Sequence, residues 1–192
     1  MLRYELDKLG WYDFEGLVQA LLKANLGLGV EAWGGIQDWG RDAYFEGELA
    51  YPTNSKVSSA FLFQCKFVDG ANAAGAQPES SILNAVAKEC RAIKDRLQLG
   101  RWPLPPSYYV LFTNARMTAK NRESVNATLH GILPKANLFI HDGNDICAWL
   151  DNSPQIVKAF PQLLGLRNLD ELLRSWVNAD ILSRSETALE EG

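Results

Sequence analysis

Phe61-Leu-Phe-Gln-Cys-Lys-Phe67 decides the fold. Its apolar residues at 61, 63 and 67, with Leu62 between, read as a strand covered by protein on both faces. Inside that run stand two polar residues, Gln64 and Lys66. A strand advances about 3.3 Å per residue and alternates faces, so these two heads share a face about 7 Å apart. A lysine ammonium held there is costly unless anions answer it. The competing reading is an edge strand that uses Lys66 as a solvent-facing gatekeeper.

Working toward the N-terminus, the polar stretch Pro52-Thr-Asn-Ser-Lys56 reads as a hairpin loop, with residues 60–68 returning as a strand. Its partner covers residues 42–49, where Asp42, Tyr44 and Glu46 alternate with Ala43, Phe45 and Gly47. Before it come a turn at Gly34-Gly35 and a short strand, Val30-Glu-Ala-Trp33. Phe14, Leu17, Val18, Leu21 and Leu22 follow helical spacing. Asp13 is the expected cap, Gly27 and Gly29 the expected end, and Glu15 lies at the edge of the buried face.

Toward the C-terminus, residues 70–79 form a small-residue loop, expected to be mobile. Ser80 or Ser81 is expected to cap a helix to about Leu99, with a buried stripe at Ile82, Ala85, Val86, Cys90, Ile93 and Leu97. After Pro103–Pro106 comes a strong strand, Tyr108–Thr113. Thr118 caps a helix closed by Gly131; Asn137–His141 is a last strand, and Asn144–Leu150 a short helix. Strand, helix and strand in succession demand a parallel pair with helices on both faces. The expected fold is an α/β/α sandwich around a central mixed β-sheet. It occupies residues 1–153, and residues 154–192 form a helical extension or linker.

The length of 192 residues suits one ordinary domain. No apolar run is long enough to cross a bilayer, and the start lacks the core of a signal peptide. Cys65, Cys90 and Cys147 are odd in number and far apart, which argues against a disulfide framework or a zinc site and for a reducing, cytoplasmic setting. The net charge of −4 argues against nucleic-acid binding by overall field, though not against a local basic groove. His130 sits near a helix C-terminus and His141 at a turn; neither is expected to act as a ligand or base.

The polar groups on the central strands suit one chemistry. Phosphodiester hydrolysis needs the charge on the phosphorus oxygens neutralised and a water activated. A Mg²⁺ or Mn²⁺ ion held by oxygen ligands does both, and a nearby lysine orients the water or stabilises the transition state. Asp42 is the first expected metal ligand, with the Gln64 amide oxygen and the Cys65 backbone carbonyl beside it. Lys66 is the reactive cation, and Glu15 a further ligand or an orienting group. The sequence lacks the motifs of P-loop, zinc-peptidase and α/β-hydrolase chemistry.

Trp11-Tyr-Asp-Phe-Glu15, Gly34-Gly-Ile-Gln-Asp-Trp-Gly-Arg-Asp42 and Phe63-Gln-Cys-Lys66 together resemble the Mrr-like branch of the PD-(D/E)XK nucleases, which share a restriction-endonuclease-like fold. The resemblance spans roughly residues 10–150. It implies a metal-dependent DNA endonuclease. Asp42 matches the invariant acid, Gln64 the variable acid, Lys66 the lysine and Glu15 the first-helix glutamate. The glutamine removes a ligand charge, which is expected to weaken metal binding. The hairpin insert departs from the pattern, and residues 51–59 are expected to reach toward substrate.

The tail Phe160–Glu191 resembles the linker joining such domains to a STAND-type (NACHT-like) NTPase in bacterial antiphage proteins. That implies an effector domain whose parent chain carries NTPase and sensor domains. The expected activity is cleavage of double-stranded DNA with little sequence preference, since no base-reading module is recognisable, by at least a dimer. The alternatives are a catalytically inactive DNA-binding or NTPase-docking module, and a nuclease acting on RNA. Lys88, Arg91, Arg116, Lys120 and Arg122 are the candidate phosphate contacts, against a default reading as solvated surface. Asp38 is a minor candidate near the metal, and Trp39 a candidate loop contact.

Overall fold

The computed structural model describes residues 4–27, 29–32, 42–51, 55–72, 78–100 and 106–164. Its elements are α1 (Gly10–Leu26), β1 (Glu31–Ala32), β2 (Ala43–Ala50), β3 (Lys56–Lys66), α2 (Pro78–Gln98), β4 (Tyr108–Thr113), α3 (Ala119–His130), β5 (Asn137–His141), α4 (Gly143–Asp151) and α5 (Pro154–Ala159). Short 3₁₀ turns lie at Leu6–Lys8 and Pro161–Leu163. The strands form a five-stranded sheet in sequence order. β1–β2 and β2–β3 are antiparallel; β3–β4 and β4–β5 are parallel. β3 is therefore a central strand, and the gatekeeper reading of Lys66 falls.

Side-chain alternation assigns the two faces of the sheet. Phe61, Phe63, Val110 and Phe112 pack with Phe14, Leu17, Leu21 and Leu22 of α1, and with Ile146 and Leu150 of α4. Leu62, Tyr109, Leu111 and Ile140 pack with Ile82, Val86 and Ile93 of α2, and with Val125 and Leu129 of α3. The result is a mixed α/β architecture with helices on both faces. Ile156 and Val157 of α5 and Leu163 are buried in the α1-side core. That core thus continues past residue 153, where the sequence placed the start of a linker. Residues 165–192 lie outside the described residues.

Several ends differ from the sequence reading. Asp13 does not cap α1. Leu9 stands at the N-cap position in helical geometry, without a side-chain cap, because the preceding 3₁₀ turn feeds the chain directly into the helix. Gly10, at φ 69°, makes the sharp junction that a side chain would strain. α2 starts at Pro78 rather than at a serine cap, a position where the missing N–H costs nothing. Thr118 does cap α3, accepting from the Asn121 N–H at 3.3 Å. Of the predicted loose loop 70–79, Asn72 is tied down, donating to Asp7 at 2.6 Å and to the Asn114 carbonyl at 2.9 Å.

The buried Asn114 fixes the chain just after the central strand. Its amide accepts from the Val68 N–H at 2.7 Å and donates to the Val68 carbonyl at 2.9 Å. The segment following Lys66 is thereby stitched to the C-terminal end of β4. The described ends of the β2–β3 hairpin lie elsewhere. β2 runs eight residues away from Asp42 before the turn, roughly 27 Å at strand rise, and Lys56 pairs with Ala50 at the far end. Residues 51 and 55–59 therefore cannot reach the Asp42 end, contrary to the expectation that this insert approaches substrate.

His141 ends β5 among Tyr51, Phe112 and Trp149, with its Nε2 hydrogen-bonded to the Tyr51 hydroxyl. Burial lowers its pKa, outweighing the pull of Asp145, while Arg122 lowers it further and Asp142 raises it. The unfolded chain takes up that proton near the ordinary value of about 6.5, and the folded chain only at lower pH. Folding stability from this group is therefore complete above about pH 6.5. It is lost as pH falls from there through the folded value, by at most about 1.4 kcal/mol per pH unit. In urea titrations, His141→Phe should show a shallower loss of stability between pH 7 and pH 5 than the native chain. Equal slopes would mean that other groups carry the dependence.

Candidate active site

Asp42 immediately precedes β2 and, by the register Ala43↔Phe63, stands opposite Gln64. Its Oδ2 accepts from Gln64 Nε2 at 2.6 Å and from the Cys65 N–H at 2.5 Å. Gln64 is only 3% exposed, and Asp42 is buried. The pairing places the carboxylate on the α2 side of the sheet. Lys66, two residues beyond Gln64, points to that same side, where its Nζ meets Glu89 of α2 at 2.8 Å. The acid and the cation thus share a face, as a hydrolytic site requires.

Glu15 comes from the opposite layer. It meets the others because the site lies at the end of the strands, where the two helical layers are no longer separated by sheet. A cavity of about 260 Å³ opens there, lined by Trp11, Glu15, Asp42, Gln64, Cys65, Lys66 and Phe67. Gln19, one turn after Glu15, ties this helix to the strand. Its amide donates to the Asp42 carbonyl at 2.9 Å and to Glu15 Oε1 at 3.2 Å. Burial, reinforced by Asp42 and Glu15, pushes the Cys65 thiol well above its usual range and keeps it neutral.

The sequence reading missed the residue that holds Lys66. Glu89 is 6% exposed and carries two cations, Lys66 at 2.8 Å and Arg96 at 2.8 Å. It lies on the stripe formed by Ile82, Val86, Cys90 and Ile93, a position where helical spacing calls for an apolar residue. A carboxylate on a buried stripe is itself a signal that a cation faces it. Beneath this group, the Tyr109 hydroxyl is fully buried and finds no hydrogen-bond partner. Burial pushes its pKa well up, with Glu89 and then Asp42 adding to the effect.

The expected phosphate contacts fare unevenly. Lys88 and Arg91 are exposed on α2, and Arg116 and Lys120 are exposed near the C-terminal end of β4. None of the five cations lines the cavity. Arg122 is already engaged. It donates to the Ile140 carbonyl at 2.7 Å and pairs with Asp142 at 3.1 Å and Asp145 at 2.8 Å. Asp142 caps α4 with Asp145 as its reciprocal partner, so Arg122 braces that helix start. Glu46 is exposed and accepts from the Tyr44 hydroxyl at 2.8 Å. Asp38 and Trp39 lie outside the described residues.

The donors offered to a cation are hard oxygens. One observation fits a metal there: Gln64 Oε1 is buried without a hydrogen-bond partner, while its Nε2 is turned to Asp42. An acceptor left bare beside a buried carboxylate costs about 1–3 kcal/mol unless something binds it. An extended residue sends its N–H and C=O to the same edge, so the Cys65 carbonyl also faces the Asp42 edge. Among the described residues, no three His, Cys, Asp or Glu side chains converge as a metal cluster, so a cation here would lean on neutral oxygens. No family model matches the chain, and no curated protein or solved structure matches it. Among the described residues, no helix is long and apolar enough to cross a membrane.

Proposed function

We propose that this chain is a metal-dependent nuclease domain of the PD-(D/E)XK type, hydrolysing phosphodiester bonds of DNA. The observation that carries the reading is the meeting of Asp42, Gln64, Lys66 and Glu15 around one cavity, with the Gln64 side-chain oxygen buried beside Asp42 and lacking a hydrogen-bond partner. The helices on both faces of a mixed sheet agree with the restriction-endonuclease-like sandwich. A divalent ion would be held by Asp42, Gln64 Oε1 and the Cys65 carbonyl, where it would offset phosphate charge and acidify the attacking water.

The chain's own groups do the rest. Lys66 has three N–H donors and spends one on Glu89, leaving two for the non-bridging phosphate oxygens as their charge grows. Glu15 lies where it can orient the attacking water or complete the ligand set. Water adds to phosphorus, the bond to the leaving oxygen breaks, and that oxygen takes up a proton. The glutamine in place of a second acid lowers the ligand charge, so divalent affinity is weak. The parent-chain context of this reading is an antiphage effector joined to a STAND-type NTPase and acting as an oligomer in the cytoplasm.

A second reading has its own support. The absence, among the described residues, of a three-carboxylate or histidine cluster also fits a nuclease-like module that binds DNA, or docks to an NTPase, without cutting. Titration with Mg²⁺ or Mn²⁺ separates the two. The nuclease reading expects metal binding that Asp42→Asn weakens about tenfold or more, and cleavage of supercoiled plasmid that a chelator stops. Absence of both binding and cleavage at high protein concentration establishes the inactive module. Parallel digestion of duplex DNA, single-stranded DNA and RNA assigns the substrate.

A further inference from the structure

The nuclease reading leaves unused an aromatic pair, Trp11 and Tyr12, of which Trp11 lines the cavity. Trp11 is 68% exposed and Tyr12 73%, and among the described residues only Leu99 joins them as an exposed large apolar side chain. Their rings meet edge to face with centroids 5.7 Å apart. Trp11 itself lines the cavity, and it precedes Glu15 by four residues on α1, so the two project from one helix face about 6 Å apart at Cβ. Leaving two large rings in water forgoes the burial that usually fixes such residues.

We propose that Trp11, edged by Tyr12, is a stacking platform for one unpaired nucleobase next to the scissile phosphate. The inference rests on the nuclease reading for its substrate class, and the geometry narrows that class. A ring whose Cβ stands about 6 Å from that of a residue at the phosphate is within reach of the neighbouring nucleotide. In an intact duplex the faces of the bases there are already stacked on their neighbours. A strand that is single or locally opened offers a free face. Charge points the same way. Trp11 and Phe67 flank a cavity whose only described cation, Lys66, is partly spent on Glu89, and the chain's net charge is −4. Attraction for phosphate is therefore small, and aromatic stacking supplies affinity that the field does not.

The test is fluorescence anisotropy with the full chain, in chelator, so that nothing is cut. The probes are a labelled thymidine 12-mer, the same strand with abasic sites in place of its bases, and a blunt duplex. The expected result is that the native chain prefers the thymidine strand. Trp11→Ala weakens that binding roughly tenfold to a hundredfold, Trp11→Phe retains most of it, and neither changes the abasic strand. Because Trp11 is exposed, its removal should leave the circular dichroism spectrum and the melting temperature unchanged. Equal affinity of the native chain for the base-bearing and abasic strands overturns the platform, as does preference for the blunt duplex. Cleavage assayed separately with Mg²⁺ keeps the outcomes apart. A platform that binds without cutting refutes the nuclease reading alone, and cutting without base dependence refutes the platform alone.

Discussion

Lys66→Ala is expected to lower plasmid cleavage by roughly 100- to 1,000-fold while leaving the fold in place. The loss should fall on the chemical step, because the ammonium matters most when charge builds on the phosphate. Structural damage should be small. Lys66 sits at the last position of β3, and Glu89 keeps its second partner, Arg96, at 2.8 Å. Single-turnover cleavage of plasmid by the purified variant measures the first quantity, and thermal unfolding the second. Cutting at the native rate, with contaminating nuclease excluded by a second purification, would remove Lys66 from the mechanism and the nuclease reading with it.

Glu89→Gln should affect stability and rate together. One buried carboxylate neutralises Lys66 and Arg96, whose side chains are 21% and 17% exposed. Without it, two mostly buried cations lose the anion they share. Breaking such a group costs about 3 kcal/mol, the lower end for buried ion pairs, because both cations retain some access to water. For a domain of this size that lowers the melting temperature by roughly 6–12 °C. Below the melting range, turnover should fall by roughly tenfold to a hundredfold, since the ammonium is still present but no longer held in place. KM should move little, and Glu89→Asp should recover part of both losses. A variant that melts early but turns over at the native rate would make Glu89 a structural anchor only.

The parts of this molecule with strong periodicity could be read from the chain. Tyr108–Thr113 is apolar on both faces, Thr118 is a side-chain cap, and Gly131 follows the last helical residue; all three held. Gln64 and Lys66 share a face for the same reason, since the strand period of two leaves no choice once the strand is accepted. Glu89 escaped because a carboxylate on an apolar stripe looks like an interruption of the pattern until the facing strand is known. Arg122 misled in the opposite sense. Its partners Asp142 and Asp145 follow about twenty residues later, and only the parallel pairing of β4 with β5 brings them alongside. The helix start at Gly10 depends on a left-handed φ that composition does not reveal. The direction of the hairpin could have been inferred, because antiparallel strands put their turn at the end remote from where the first begins.

The antiparallel pairing makes the meeting of Asp42 and Lys66 a matter of parity. Asp42 and Lys66 occupy one rim only because β2 and β3 fold back in a single alignment, Ala43 against Phe63. Lengthening the turn leaves that alignment untouched, however many residues are added. Sliding one strand by a single step turns the carboxylate toward α1 and away from the ammonium. Evolution can decorate the distal bend freely, but within the ladder it can add or remove residues only in matched pairs.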